Sequence, residues 1–277
     1  MNSKEFLASP TARGVTPKLR AALWMAFLLA SPGLAGACDR PEGIPDAKVT
    51  LVGEIHGTNE APELFYRLAC ATAARSQGVV VALELPRSLQ APIDSFMASE
   101  GREVDRERLL SVSFWSRARQ DGRSSIAMIT LIDRLRALRR AGFDVQVLAI
   151  DEQVEGSRDA GMALHISRSV EISAYPLVGL MGNYHARKTR GVSWDVKYEP
   201  AGYRLLQYSP VNVLVAQTSG SAWVCAPDCG VHSVGDRRFE DQELGYGQDA
   251  TGSGYDGAYL VPATTASFPA AAFNSGR

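Results

Sequence analysis

Residues 49–60, VTLVGEIHGTNE, join a predicted buried strand to two side chains that can transfer protons. The β-branched and apolar residues 49–52 predict a strand that is buried on both faces. Glu54 and His56 point to the same side if the extended backbone continues through Ile55. Ligands of open α/β sheets bind at the carboxyl ends of the strands. The stretch therefore predicts an α/β fold with a functional site where its first strand ends.

Three later apolar runs repeat this arrangement of a strand followed by polar residues. They are residues 79–83 before Glu84, residues 145–150 before Asp151 and Glu152, and residues 176–181 before the segment that contains His185. Apolar residues at helical spacing predict helices between the strands, at residues 61–76, 124–140 and 158–172. Helical crossovers make consecutive strands parallel, so we expect strands 1 and 2 to be parallel and adjacent. The fold class is α/β, with a largely parallel β-sheet core flanked by helices.

The segment between the second and third strands is long and helical in character. Residues 87–142 form an inserted helical region, which we interpret as a lid beside the strand ends. After His185 the chain shows shorter strand patterns, at residues 204–208, 211–217 and 258–262, with a hairpin near 219–221. No internal repeat interrupts residues 38–277, which we expect to form a single domain.

Four side chains should converge at the strand ends: Glu54, His56, Glu84 and His185. Two imidazoles and two carboxylates suit either a divalent metal, with Glu54, His56 and His185 as ligands, or a metal-free acid–base pair. Simpler interpretations remain open at this stage. His56 is also compatible with a hydrogen-bonded loop histidine, Glu54 with a solvated carboxylate, and Glu84 with a cap on a helix that starts near residue 87. The two other histidines are expected in structural positions, His165 on a helix and His232 in a loop.

The amino end has the pattern of a secretory signal peptide. Basic residues precede a ten-residue apolar run at 21–30, and a small-residue cleavage site ends at Ala37. Ten residues are too few to span a bilayer, which needs about 20. We therefore expect residues 1–37 to be removed and the protein to be exported, to the periplasm, the outer membrane or the medium. Cys38 would then be the first residue, so a lipid anchor there is the minority alternative to ordinary cleavage.

Charge and cysteine content narrow the classes of partner. Removing four basic and one acidic residue from totals of 29 and 30 leaves 25 and 29, a net charge of about −4. This balance gives no indication of nucleic-acid binding. The four cysteines, Cys38, Cys70, Cys225 and Cys229, all follow the cleavage site, and an exported protein with an even number can form disulfides. The pair at 225 and 229 is a plausible small disulfide loop.

Four segments together resemble a known superfamily. They are GEIHG at 53–57, LELP at 83–86, SRDAGMALHI at 157–166 and GNYHARK at 182–188. Their order and spacing resemble the superfamily that joins erythromycin esterases, haem-binding ChaN-like lipoproteins and TraB/Tiki proteins, and are most similar to the ChaN-like branch. The resemblance implies an α/β core with Glu54, His56, Glu84 and His185 as functional residues. Esterase-like relatives have one more residue between the first glutamate and histidine, whereas Gly53 to His56 also satisfies the Gly-x-x-His of Tiki-type peptidases.

Two functions of different kinds follow from this resemblance. In the first, the protein is a hydrolase of esters or peptides, in which His56 is a general base or a metal ligand, Glu54 and Glu84 orient it, and His185 completes the site. In the second, the same cleft holds haem or another iron-bearing ligand without catalysis. The expected partners are therefore a small molecule, a peptide or haem, and the candidate cofactors are a divalent metal ion or haem.

Overall fold

The structure is a computed structural model and describes residues 38–248 and 251–271. The predicted signal peptide at residues 1–37 lies outside the described residues. The strands are β1 Val49–Glu54, β2 Gly78–Pro86, β3 Asp144–Asp151, β4 Leu177–Gly182, β5 Val211–Gln217, β6 Ser221–Cys225, β7 Cys229–Ser233, β8 Gly245–Gln248 and β9 Gly257–Val261. The α-helices are α1 Glu60–Ser76, α2 Gln90–Met97, α3 Glu103–Leu110, α4 Ile126–Arg140, α5 Arg158–Ile172 and α6 Ala201–Arg204.

Seven strands form one mostly parallel sheet in the order β3-β2-β4-β1-β5-β9-β8. Each neighbouring pair is parallel except β8 and β9, which are antiparallel. The predicted α/β class, with a parallel sheet flanked by helices, is confirmed. Among the described residues, no helix has the length and apolar character needed to cross a bilayer.

Alternating residues of the central strands supply two hydrophobic cores. Val79, Val81 and Leu83 of β2 pack with α1, α2 and α4 on one face of the sheet. Val80 and Ala82 face the opposite way and pack with α5. Helices therefore cover both faces, which is why these strands consist of nearly continuous apolar residues. Their carboxyl ends remain the uncovered edge of the layered core.

The expectation that β1 and β2 are adjacent is wrong, because β4 lies between them and pairs with both. The connection between β1 and β2 contains the 17-residue helix α1. Such a crossover makes the two strands parallel, but its length does not determine how many strand positions lie between them. The fourth strand of the chain, β4, occupies the position between β1 and β2.

Three local predictions in the second half of the chain are also wrong. Residues 204–208 are not a strand, because Pro200 precedes helix α6 and a short 3₁₀ turn at 206–208 follows it. The hairpin is not at 219–221, since β6 pairs with β7 through a turn at 226–228 while β5 belongs to the main sheet. His232 lies in β7 rather than in a loop.

Two disulfides are present in the described chain, Cys38–Cys70 and Cys225–Cys229. The first attaches the segment before β1 to α1, and the second closes the β6–β7 hairpin. Both are consistent with an exported protein. The Cys38 sulfur cannot carry a lipid thioether while it is bonded to Cys70, so the disulfide and the lipid anchor are mutually exclusive.

Candidate active site

The four predicted site residues line one cleft at the carboxyl ends of β1, β2 and β4. Glu54, His56, Glu84 and His185 all border this cleft, which has a volume of about 530 Å³. Residue 182 at the end of the middle strand is a glycine, and a Cβ there would lie 3.0 Å from His56 Nε2 and 3.4 Å from Glu84 Oε2. Glycine at the end of β4 thus lets side chains from β1 and β2 meet across the strand that separates them.

His56 lies between two buried glutamates. Its Nδ1 is 3.0 Å from Glu54 Oε1, and its Nε2 is 3.2 Å from Glu84 Oε2. Burial alone lowers the pKa of His56, but the charge of Glu84, the hydrogen bonds to both glutamates and the charge of Glu54 outweigh burial and raise this pKa to about 10. His56 is therefore an imidazolium at neutral pH, with Nδ1–H donating to Glu54 and Nε2 in an ion pair with Glu84.

The pKa values of the two glutamates that flank His56 are shifted in opposite directions. Burial raises the pKa of Glu54, and the hydrogen bond and charge of His56 offset this only in part. Glu54 Oε2 is buried and has no hydrogen-bond partner among the described residues. Burial acts on Glu84 as well, but His56, His185 and Arg123 hold the pKa of Glu84 well below its usual range. Carboxylates whose environments separate their pKa values in this way are typical of acid–base sites.

Two arginines that sequence reasoning missed keep Glu84 ionised. Arg158 Nη2 donates to Glu84 Oε1 at 2.7 Å, and Arg123 Nη1 donates to the same oxygen at 3.3 Å. Both guanidinium groups also bind Asp151, and Arg123 binds Asp121 in addition. Gly182 N donates to Glu84 Oε2 at 2.7 Å. With these partners, Glu84 is a fixed anion that separates the two histidines and not a residue that gives or takes protons.

His185 is held by a buried aspartate that was also not predicted as a site residue. His185 Nδ1 is 2.8 Å from Asp159 Oδ1, and Tyr198 OH donates to Asp159 Oδ2 at 2.9 Å. The backbone N–H of Ala201 donates to Asp159 Oδ1 at 2.8 Å. His185 Nε2 is 3.8 Å from Glu84 Oε1, which is too long for a hydrogen bond. When His185 carries its proton on Nδ1 and donates it to Asp159, its Nε2 has a free lone pair on the side that borders the cleft.

The insertion and the β6–β7 hairpin form the outer wall of the cleft. Gly122 packs so closely on the backbone of residues 56–57 that a Cβ would lie 2.0 Å from Gly57 N. Trp223 N donates to Gly57 O at 2.9 Å, and Trp223 Nε1 donates to Gln120 O at 2.9 Å. Cys225 also lines the cleft. The predicted lid region thus contributes a wall through residues 119–123, fixed to the loop that carries His56.

The donor atoms at the site do not fit a divalent metal ion. Both ring nitrogens of His56 are bound to carboxylates, and Glu84 binds two guanidinium groups that would repel a cation. Across residues 38–248 and 251–271, no group of three or more His, Cys, Asp or Glu side chains is placed to hold a metal. The predicted ligands Glu54, His56 and His185 therefore do not form a chelating set.

The cleft lining does not fit haem either. A porphyrin needs an extended apolar slot, whereas most of this lining consists of charged or polar side chains. Ile55 and Val224 are aliphatic residues of this lining. This lining suits a polar ligand better than a porphyrin.

Comparison with solved structures identifies the fold. A mutant of erythromycin esterase EreC in its open conformation superposes with a TM-score of 0.60 at 11% sequence identity, covering 80% of this chain and 92% of that one. The chain has the fold of erythromycin esterase EreC. A succinoglycan biosynthesis protein matches with a TM-score of 0.61 at 11% identity, covering 81% and 90% of the two chains. A Bacillus cereus protein matches with a TM-score of 0.60 at 12% identity, covering 82% and 91%.

The erythromycin esterase-like fold that the four motif segments imply is confirmed by structural similarity. No protein-family model matches this sequence, and no curated protein matches it by sequence. The haem-binding protein ChaN of Campylobacter jejuni superposes with a TM-score of only 0.30 at 16% identity, covering 61% of this chain and 82% of that one. That value is too low to support any inference about haem.

Proposed function

We propose that this protein is an exported hydrolase of carboxylic esters that uses a metal-free histidine–carboxylate site. The observation that carries the proposal is the pairing of two unlike histidines in one cleft. His185 is oriented by the buried Asp159, whereas His56 is held as a cation between two glutamates. A base that activates water and a positive charge close to the reacting carbonyl are what acyl transfer to water requires.

His185, rather than His56, is the general base in this proposal. The sequence favoured His56, but a pKa of about 10 leaves that ring without a lone pair at neutral pH. His185 donates Nδ1–H to Asp159, and its Nε2 is available to accept a proton from water. Asp159 fixes the tautomer and stabilises the imidazolium that forms, as the aspartate does in a Ser-His-Asp triad.

The reaction follows from these assignments. His185 Nε2 takes a proton from water while the water oxygen bonds to the ester carbonyl carbon, and negative charge develops on the carbonyl oxygen. The positive charge of the His56 imidazolium, which lies in the same cleft, stabilises this oxyanion through space, since its ring nitrogens are already held by Glu54 and Glu84. The carbon–oxygen bond to the alcohol then breaks, and His185 returns its proton to the leaving alkoxide.

Glu54, Glu84 and the two arginines maintain the charge states that this reaction needs. Glu84 and Glu54 keep His56 protonated, and Arg123 and Arg158 keep Glu84 ionised. The ester class is supported by the fold of erythromycin esterase EreC. Export is supported by the signal-peptide pattern before Cys38 and by the two disulfides.

Hydrolysis by the purified, chelator-treated protein tests the proposal. We expect turnover of esters in a panel that also contains peptides, and we expect the rate to be unchanged when the chelator is removed or divalent ions are added. Haem is titrated into the same sample and the Soret band is followed. Absence of ester turnover together with a saturating Soret shift would replace the hydrolase with a haem carrier. A rate that depends on added metal would refute the metal-free site.

A further inference from the structure

A pair of exposed aromatic rings stands beside the catalytic cleft. Tyr184 and Trp194 are 45% and 67% exposed, and their ring centroids are 4.9 Å apart at an interplanar angle of 69°. Tyr184 directly precedes His185 and lines the cleft. Large aromatic rings left in solvent next to a reactive site are poorly explained by packing, because burying such a ring is favourable.

These rings border a second cavity that adjoins the first. This cavity has a volume of about 300 Å³ and shares Asn183 and Tyr184 with the catalytic cleft. Val192 and Leu214 contribute apolar surface to it, while the polar lining comes from Asn183, Arg187, Ser193, Arg238 and Ser253. Aromatic side chains together with several polar groups suit a ligand ring that carries polar substituents. The cavity is large enough for a single ring and lies on the His185 side of the cleft.

The loop that carries Trp194 is fixed by backbone hydrogen bonds. Val192 and Asp195 exchange two of them, at 2.9 and 3.1 Å, and so close a tight turn with Trp194 inside it. Gly191 N also donates to Tyr198 O at 2.7 Å. Tyr198 donates its hydroxyl to Asp159, the aspartate that orients His185. The aromatic wall and the proposed general base are thus held by the same segment, so a ligand against Trp194 is positioned relative to His185.

We propose that this second cavity is a substrate subsite for a ring, and that the preferred esters carry a ring with an apolar face on the portion directed toward Tyr184. The proposal rests on the proposed hydrolase function. Trp194 stacks on the apolar face of the ring, Tyr184, inclined at 69° to Trp194, contacts the ring edge, and Asn183, Arg187 and Ser193 bond to its polar substituents. An aryl ring and a sugar ring both have this chemistry, whereas a linear alkyl chain lacks it.

Three acetates of primary alcohols separate these possibilities without changing the reacting group: butyl acetate, benzyl acetate and glucose 6-acetate. Hydrolysis is followed by proton release, so that no chromogenic ring is introduced. We expect a lower KM for the two ring esters than for butyl acetate, and the lower of those two values identifies an aryl or a sugar preference. Trp194→Ala should raise KM for the preferred ring ester about 3- to 10-fold and leave butyl acetate unchanged.

Val196→Ala is the matched control, because Val196 lies in the same loop and is 81% exposed but does not line the cavity. We expect this variant to retain the wild-type preference. Equal KM values for butyl and ring esters, or an equal effect of Trp194→Ala on all three esters, would overturn the subsite.

Binding of a stable amide separates failure of the subsite from failure of the hydrolase. N-Benzylacetamide, 6-acetamido-6-deoxyglucose and N-butylacetamide are titrated calorimetrically into wild type and Trp194→Ala. Tighter binding of a cyclic amide that is lost in Trp194→Ala supports the subsite even if no ester is turned over. Equal binding of the cyclic and linear amides, or equal binding by both proteins, would refute it.

Discussion

Replacing Asp159 with asparagine separates the role of the His185–Asp159 pair from simple packing. Asp159 is buried and accepts from His185 Nδ1, Tyr198 OH and Ala201 N at 2.8–2.9 Å. In Asp159→Asn the amide oxygen keeps the two donors that meet Oδ1, and the amide nitrogen then faces Tyr198. Tyr198 OH lies 3.1 Å from His185 Nδ1 and can turn to donate to His185 Nδ1. This contact favours the tautomer of His185 that carries its proton on Nε2 and so cannot act as the base.

The expected losses of stability and activity in Asp159→Asn follow from the loss of the carboxylate charge. Loss of a hydrogen bond to a charged group costs about 1.5–3 kcal/mol of unfolding free energy, which lowers the urea midpoint without unfolding a chain of this size. Loss of correctly oriented general-base catalysis costs about 10²- to 10⁴-fold in kcat/KM. The assay is ester hydrolysis by the purified variant, with the fraction folded measured by circular dichroism in the same buffer.

Tyr198→Phe is the matched control for this substitution. It removes one hydrogen bond to Asp159 but leaves the carboxylate and the His185 Nδ1 contact in place. We expect it to lose about tenfold in kcat/KM or less. If a folded Asp159→Asn variant keeps more than about a third of wild-type activity, or if the two variants lose the same amount, the assignment of His185 as the base oriented by Asp159 is refuted.

Three further predictions concern charge, positioning and the cleft wall. The NMR ring signals of His56, assigned by their absence in His56→Gln, should remain those of an imidazolium until about pH 10. The pKa of His56 is higher in the folded protein than its unfolded value of about 6.5, so the stabilisation that protonated His56 contributes is complete below pH 6.5. It is lost as the pH rises toward about 10, at no more than about 1.4 kcal/mol per pH unit. An NMR titration midpoint for His56 near 6.5 would contradict this. Glu84→Gln should cost about 1.5–3 kcal/mol in urea unfolding and lower kcat, since it removes a buried anion that binds two arginines; an unchanged kcat would contradict its role. Replacing Cys225 and Cys229 with serine should raise KM by severalfold and cost about 2 kcal/mol of stability, because their disulfide closes a short loop in the cleft wall; an unchanged KM would show that the hairpin does not shape the site.

The convergence of the four predicted residues could be predicted from the sequence, but the chemical role of each could not. Each of the four follows an apolar run, and parallel strands place their carboxyl ends at one edge, so the cluster at Glu54, His56, Glu84 and His185 was predictable. Charge states depend on what surrounds each group in three dimensions. His56 is protonated because it lies between two carboxylates, and one of them comes from a strand that is not its neighbour.

Asp159, Arg123 and Arg158 were missed because their local sequence suggests ordinary roles. An aspartate in the first turn of α5 is typical of a residue that complements the helix dipole, and Arg158 beside it looks like a surface charge. Only the tertiary fold brings Asp159 to His185 and Ala201, and Arg158 to Glu84. The same contact explains the wrong strand at 204–208, since the carboxylate of Asp159 binds the amino end of α6.

The most direct test of a metal-free hydrolase with His185 as its base compares two histidine variants in the presence of a chelator. His185→Gln removes the proposed base, while His165→Gln removes a histidine that bonds to Glu152 and does not line the cleft. We predict that kcat/KM for the best ester falls at least about 10²-fold in His185→Gln and stays at the wild-type value in His165→Gln. Wild-type activity in a folded His185→Gln variant would contradict the proposed mechanism.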